Sequence, residues 1–324
     1  MRANIFAGLR NLTLVLTIFV FVAIFNSAQA QRWKKYRHEI QGGIGATSFL
    51  GELGGSEGPG KALFLDVDGR SSRYLLTAGY RYKLEEYASV RGNLTYGRLS
   101  GSDAFAGDKF RQSRNLSFRS PLIELAAVGE VYFIREKLSS RYKVRGIKGV
   151  LGSGLSAYVY GGLGGFFFNP RAKFEGNAAY PGDGKWYSLR ELGTEGQNLP
   201  GGPKKYRRIG LNIPVGIGAK YNINRTWAIS LEYGFRYTFT DYIDDVSTRY
   251  VNPALLEAQD GPAAAYFSDP KTTVDTDNGE FIIGEGRSLT GEQRGNPGSN
   301  DTYMFLTLGL NYKFVSKKSN RPKF

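Results

Sequence analysis

The chain has 324 residues, no cysteine, one histidine and a formal net charge of +14. The lack of cysteine excludes disulfides and thiolate metal sites, and a single histidine argues against histidine-based zinc chemistry or a serine–histidine relay. The 43 glycines, 21 tyrosines and 21 phenylalanines favour an architecture of many strands and turns over a helical one.

Residues 1–30 have the three-part pattern of a secretory signal peptide. Arg2 and Arg10 give a positive start, residues 12–25 form an apolar run that includes threonines, and a small-x-small cleavage site ends at Ala30. The run is shorter than the roughly 20 residues of a spanning helix, although an uncleaved anchor is the alternative. We therefore expect an exported chain with a basic segment at 31–37, a barrel at 38–314 and a basic tail at 315–324.

Eight segments alternate apolar residues with small or polar ones at a period of two, which predicts β-strands. They are longer than the roughly 5–6 residues usual in soluble sheets and match the roughly 9–11 residues that cross a bilayer at a tilt. Pro214 cannot donate a ladder hydrogen bond, so we expect a bulge or a missing bond there. The predicted strands are 39–51, 74–84, 88–96, 123–133, 155–168, 209–221, 227–239 and 304–314.

One face of each predicted strand is bulky and apolar, and the other is small or charged. In a soluble, lipocalin-like barrel, Trp227, Tyr233 and Phe235 of a single strand would crowd an interior only just wide enough for side chains. We therefore predict an all-β, eight-stranded antiparallel transmembrane barrel that turns its apolar face to lipid and has no open pore. Charged side chains of the other face would pair inside the lumen: Arg81, Arg91, Glu124, Glu130, Lys220, Glu232 and Arg236.

The connections between predicted strands alternate in length. Residues 52–72, 100–115, 169–205 and 241–300 are long, 85–86 and 222–225 are short, and 134–153 is intermediate. Short turns of such barrels are periplasmic and long loops extracellular, so both termini should lie in the periplasm.

The predicted periplasmic segments are strongly basic. Segments 31–37, 134–153 and 315–324 together carry 14 basic residues and one acidic residue, whereas 241–300 carries 11 acidic and 4 basic residues. This face could dock an acidic protein or anionic headgroups, or it could be a set of solvated turns. Nucleic acid is not an expected partner in that compartment. The candidate contact residues are Arg135, Lys137, Arg141, Lys143, Arg145 and Lys148.

No residue is predicted to be catalytic, to bind a cofactor or to ligate a metal. Asp241, Asp244 and Asp245 could bind calcium, but capping a strand end or pairing with Arg249 is the favoured interpretation. Enzymatic barrels, such as outer-membrane proteases and acyl transferases, use a histidine near the outer rim, whereas His38 precedes the first strand on the periplasmic side. We therefore predict a non-enzymatic protein.

The stretch from Arg208 to Tyr250 resembles the second half of the PorG-type barrels of the Bacteroidetes type IX secretion system. The similarity covers roughly residues 38–314 and is most specific at 240–247, Thr-Asp-Tyr-Ile-Asp-Asp-Val-Ser, with further similarity at 294–297 and 301–303. Residues 307–314 are similar to the last-strand signal read by the outer-membrane assembly machinery. The basic tail beyond Phe314 departs from the family pattern.

The resemblance implies a non-catalytic outer-membrane protein that anchors or docks the periplasmic ring of a type IX secretion or gliding machine. Its implied partners are outer-membrane lipid, periplasmic lipoprotein or ring proteins and other outer-membrane proteins, with no cofactor. The alternative is an OmpX- or OmpW-like surface barrel whose extracellular loops adhere to surfaces or bind ligands.

Overall fold

The computed structural model describes residues 32–53, 71–106, 109–136, 154–271, 274–275, 281–282 and 290–315. The predicted signal peptide at 1–30 and the tail from 316 onward lie outside these ranges. Eight long strands form the barrel: β1 His38–Leu50, β2 Arg73–Lys83, β3 Ala88–Ser102, β4 Ser117–Ile134, β5 Leu155–Phe168, β6 Ile209–Asn222, β7 Trp227–Thr238 and β8 Thr302–Lys313.

Every neighbouring pair of these strands is antiparallel, and the barrel closes where β1 pairs with β8. The order around the wall follows the chain from β1 to β8, with Leu50 opposite Thr302 at one end of the closing seam and Glu39 opposite Lys313 at the other. The described termini and the connections β2–β3, β4–β5 and β6–β7 share one end, which we name the turn end. The other four connections share the opposite end, named the cap end. The predicted eight-stranded antiparallel barrel is confirmed.

Pro214 interrupts one ladder, as its missing N–H requires. Between β5 and β6, the paired residues pass from Gly161 and Val215 directly to Gly164 and Asn212 with the register unchanged. The site is therefore an interruption and not a bulge. A register irregularity occurs elsewhere, between Tyr132 and Ile134 of β4.

Large apolar side chains cover the outside of the wall. An exposed apolar band of this extent is incompatible with water and is the surface that acyl chains cover. Aromatic pairs flank the band, with Trp227 near Tyr312 at the turn end and Tyr74 near Tyr96 at the cap end. The middle of the band includes Ile44, Leu125, Leu163, Leu211 and Ile217, with exposed fractions of 53–70%. The barrel therefore spans a membrane, and the soluble alternative is excluded.

Phe235 departs from the predicted exposure of the outer face. It is only 5% exposed, and its cross-strand neighbour Met304 is 1% exposed. Phe235 packs edge-to-face on Tyr233, whose hydroxyl donates to Met304 Sδ. The three side chains therefore cover one another on the wall.

The interior contains more aromatic side chains than the predicted small and charged set. Tyr158 and Tyr160 of β5 point inward and are at most 7% exposed. Glycines on the facing strands make room for them, since a Cβ at Gly218 would lie 2.4 Å from the Tyr158 ring and one at Gly234 would lie 2.0 Å from the Tyr160 hydroxyl. Ring-sized side chains thus fill the lumen that eight strands enclose.

The long connections fold into a cap over one end of the barrel. It contains helices α1 Lys109–Arg114, α2 Leu189–Leu192, α3 Pro253–Asp260 and α4 Pro262–Ser268, the 3₁₀ turn Asp103–Phe105 and the hairpin of Arg171–Lys173 with Trp186–Ser188. The two-residue strands Val274–Asp275 and Phe281–Ile282 also pair, and a 3₁₀ turn at Arg32–Tyr36 precedes β1. Among the helices of the described ranges, none is long and apolar enough to cross a membrane.

The cap and the upper lumen share one hydrophobic core. Phe168 of β5 stacks on Tyr206, which stacks in turn on Tyr242, with ring centroids 6.1 and 4.7 Å apart. Phe174 packs against Tyr266 and Phe267 of α4. The cap is therefore a packed continuation of the barrel.

Candidate functional site

An ion-pair network occupies the middle of the lumen. Arg81 and Arg91 lie directly opposite each other on β2 and β3, an arrangement that repels unless anions lie between them. Glu130 is that anion, since its carboxylate lies 2.7 Å from Arg81 Nε and 2.8 Å from Arg91 Nε. Glu232 pairs with Arg91 at 2.5 Å and accepts a hydrogen bond from the Tyr158 hydroxyl at 2.6 Å. All four charged side chains are at least nine-tenths buried.

A second layer lies nearer the turn end and includes four residues that the sequence analysis did not place in the lumen, which are Glu39, Lys83, Glu136 and Lys313. Glu39 pairs with Arg81 and with Lys220, the latter at 3.0 Å. Lys83 and Lys313 both pair with Glu136. The alternation along β1, β2 and β8 puts Glu39, Lys83 and Lys313 on the inward face, which is the signal that could have found them.

Glu136 corrects the charge assignment of the 134–153 connection. The sequence analysis counted this residue among the periplasmic charges, but it is 7% exposed inside the barrel, with Lys220 at 3.5 Å in addition to its two other lysines. The reason is electrostatic, because three inward-facing lysines need an anion. The described part of the connection therefore leaves Arg135 as its charged residue facing solvent, paired only at 4.0 Å with Glu86.

A third layer joins the lumen to the cap. Arg236 lies 3.5 Å from Glu124, and its guanidinium stacks 3.9 Å from the centroid of the Phe305 ring. Glu124 also accepts hydrogen bonds from Tyr303 and Asn212 at 2.7 and 2.8 Å. The seven predicted lumen residues are thus all buried and ion-paired inside the barrel, five in the first two layers and Glu124 with Arg236 in the third.

Buried charges also hold the cap together. Glu195 accepts backbone hydrogen bonds from Ser247 and Thr248 and pairs with Arg294 at 2.9 Å. Arg294 donates in addition to the carbonyl oxygens of Asp245 and Phe267. These contacts join the connection after β5 to two parts of the connection after β7.

The predicted aspartate cluster divides into different roles. Asp244 accepts from the N–H groups of Leu53 and Val246, and Asp245 accepts from the hydroxyls of Thr194 and Tyr206. Burial raises the pKa of Asp245 to about 6, although Arg294 and the two hydroxyls oppose the increase. Arg249 donates to the carbonyl of Gly291 and not to the cluster. Two of the three aspartates thus have the structural role that was favoured.

Asp241 has no such contacts. Its side chain is 6% exposed, and neither carboxylate oxygen is in hydrogen-bond geometry with a donor of the described chain. Burial raises the pKa of Asp241 to about 7; the Ser247 side chain opposes the increase, and the charges of Glu52 and Glu195 add to it. Its neighbours Glu52 and Asp301 were not recognised from sequence, because they lie far from Asp241 along the chain.

The turn end carries the other predicted site residues. Lys137, Arg141, Lys143, Arg145 and Lys148 lie outside the described residues. His38 is the first residue of β1 and does not precede the strand as predicted. Its ring is exposed, contacts the Tyr80 hydroxyl and lies near Tyr82, as expected of a polar-aromatic residue at a membrane interface.

The chain is similar, at low sequence identity, to solved bacterial surface and outer-membrane proteins. Ail of Yersinia pestis, solved in complex with the heparin analogue sucrose octasulfate, is 11% identical with a TM-score of 0.35, covering 86% of this chain and 99% of Ail. Neisserial surface protein A is 9% identical (TM-score 0.36, 86% and 97% covered), and OprG of Pseudomonas aeruginosa is 10% identical (TM-score 0.36, 87% and 97% covered). No family model matches the chain, and no curated protein matches it.

Proposed function

We propose that this protein is a non-catalytic outer-membrane anchor that docks the periplasmic ring of a type IX secretion or gliding machine through its turn end. The single observation that supports the anchor role is that the interior of the barrel is filled and covered by the cap. A lumen occupied by paired charges and tyrosines, closed at one end by a packed cap, favours holding a partner over conducting a solute.

The positive charge of the turn end supports this end of the barrel as the docking surface. Lys34, Lys35 and Arg37 lie beside the start of β1, and Arg135 is 59% exposed at the end of β4. Glu136 is neutralised inside the barrel. The charged residues of segment 137–153 and of the tail after residue 315 are all basic. An acidic surface on a periplasmic lipoprotein or ring protein complements that charge. The sequence resemblance at 240–247 supports the type IX assignment.

The experiment reverses positive charges of the connection between β4 and β5. Arg141→Glu, Lys143→Glu and Arg145→Glu in one variant should leave the barrel folded and release the ring proteins from detergent pull-downs. The matched control reverses Lys173, Lys185 and Lys204, which lie in the cap at the opposite end. Unchanged recovery of the partner with the first variant would refute the docking site.

A surface-binding role is the second candidate, and the folded cap favours it. Trp186 and Leu255 remain 45% and 54% exposed on an otherwise well-packed cap. Replacing residues 272–289 by a short Gly-Ser linker keeps Arg294 and the helices, so it tests this role without dismantling the cap. Loss of surface adhesion with secretion intact would favour this candidate.

A further inference from the structure

Three carboxylates from different parts of the chain meet at the cap end of the barrel. Glu52 follows β1, Asp241 follows β7, and Asp301 immediately precedes β8. One oxygen from each lies within 4.8 Å of the others. Because β7, β8 and β1 are consecutive around the wall, three neighbouring strand ends bring these side chains together.

Each carboxylate leaves at least one oxygen without a hydrogen-bond partner. Glu52 accepts from the Asn296 N–H through Oε1, and Asp301 accepts from the Ile243 N–H through Oδ2. Their other oxygens, and both oxygens of Asp241, are buried and have no donor in hydrogen-bond geometry among the described residues, and the Ser247 side chain lies near Asp241. Asp301 is fully buried and Asp241 is 6% exposed. The backbone thus orients two of the carboxylates and leaves four oxygens available.

No lysine or arginine of the described ranges forms an ion pair with these three groups. Burial raises the pKa of Glu52; Arg114 opposes that increase but pairs with Asp103, and Arg294 pairs with Glu195. Buried anions without a counter-charge are costly and either take up protons or bind a cation. Gly51 adds a steric observation, since a Cβ there would lie 2.2 Å from Asp301 Oδ1. A side chain at this position would displace the Asp301 oxygen that has no hydrogen-bond partner among the described residues.

We propose that Glu52, Asp241 and Asp301 bind one Ca²⁺ ion that joins the ends of β7, β8 and β1. The ligands are all carboxylate oxygens, which suits a hard cation, and Ca²⁺ accepts a more variable coordination geometry than Mg²⁺, which demands a near-ideal octahedron. Water molecules complete the coordination. The site lies just beyond the Leu50–Thr302 pair, the last pair of the closing seam, so the ion clamps the barrel where its first and last strands join.

The test uses the whole mature chain, refolded in zwitterionic detergent without lipopolysaccharide and freed of metal by a chelator. Titration with CaCl₂ should show one saturable site per chain, with a Kd of about 10⁻⁴–10⁻³ M as in other extracellular calcium modules, and weaker binding of MgCl₂. Asp241→Asn and Asp301→Asn should each weaken Ca²⁺ binding by about tenfold or more. Asp183→Asn is the matched control, because Asp183 is a cap aspartate that contacts exposed Lys185 and Tyr187.

Thermal stability separates an ion site from a structural carboxylate. Ca²⁺ should raise the temperature at which the wild type and Asp183→Asn lose the folded band on SDS gels, and it should not raise that of Asp241→Asn. Without Ca²⁺, Asp241→Asn should be at least as stable as the wild type, since it removes an unpaired charge. Absence of saturable Ca²⁺ binding by folded wild type, or unchanged affinity in a folded Asp241→Asn variant, would overturn the proposal. These measurements use the purified mature chain without partner proteins, so their outcome is independent of the docking experiment.

Discussion

Glu130→Gln tests whether one buried carboxylate keeps two opposed arginines together. The substitution preserves the shape of the side chain and removes the charge between Arg81 and Arg91, whose Cα positions pair directly across β2 and β3. Glu130 also accepts from the Ser89 and Tyr132 hydroxyls, at 2.7 and 2.9 Å. A glutamine side chain would present an amide nitrogen to at least one of these donors.

The loss of stability expected for Glu130→Gln depends on the anionic partners that Arg81 and Arg91 retain. Removing one member of a buried ion pair costs about 3–5 kcal/mol. Arg81 retains Glu39, and Arg91 retains Glu232, so the lower limit applies and we expect the free energy of unfolding to fall by about 3 kcal/mol. That is roughly two orders of magnitude in the folding equilibrium.

The assay is urea unfolding of the refolded barrel in micelles, followed by the fluorescence of its three tryptophans, of which Trp227 lies on the outer wall, and by the gel shift of the folded band. Glu191→Gln is the matched control, because Glu191 contacts two arginines, Arg208 at 2.6 Å and Arg190 at 3.2 Å, while its own side chain is 54% exposed. Exposed pairs contribute about 0–1 kcal/mol, so the control should change little. Equal, small effects of both substitutions would refute the argument that the lumen network stabilises the barrel.

Three further predictions follow from the wall and the cap. Ile217→Arg, in the middle of the apolar band, should destabilise the barrel in lipid vesicles by about 2–4 kcal/mol, and Ile223→Arg in the adjoining turn by about 0–1 kcal/mol; equal effects would place Ile217 outside the acyl chains. Arg294→Gln should make the cap sensitive to protease while the barrel stays folded, whereas Arg249→Gln, at an exposed arginine, should not. Because burial raises the pKa of Asp245 from 3.8 to about 6, the folded state binds its proton more tightly, and the cap should lose stability to urea as the pH rises from about 4 to 6. Asp245→Asn should flatten that dependence, and an unaltered slope would contradict it.

The period-two alternation was sufficient to predict the wall. The predicted strand 155–168 coincides with β5, and the other predicted strands fall on the observed ones with ends displaced by a few residues. The apolar face of β6, which includes Ile209, Leu211 and Ile217, was predictable as the outer face, because acyl chains solvate only apolar side chains. Charges such as Arg81 and Glu232 within strands had to lie inside, because lipid does not solvate them.

Which charges meet was decided only by closure of the barrel. Glu136 follows the predicted end of its strand and resembles a solvent-facing residue of a basic connection, yet it is buried in the lumen, where it meets Lys83 of β2, Lys220 of β6 and Lys313 of β8. The cap was equally unpredictable, since its core depends on Phe168, Tyr206 and Tyr242 meeting across separate connections. Glu52, Asp241 and Asp301 come together because three strand ends are neighbours in the wall. Local alternation determines which way a side chain points, whereas its partners depend on strand order and register, and these are set by long-range pairing.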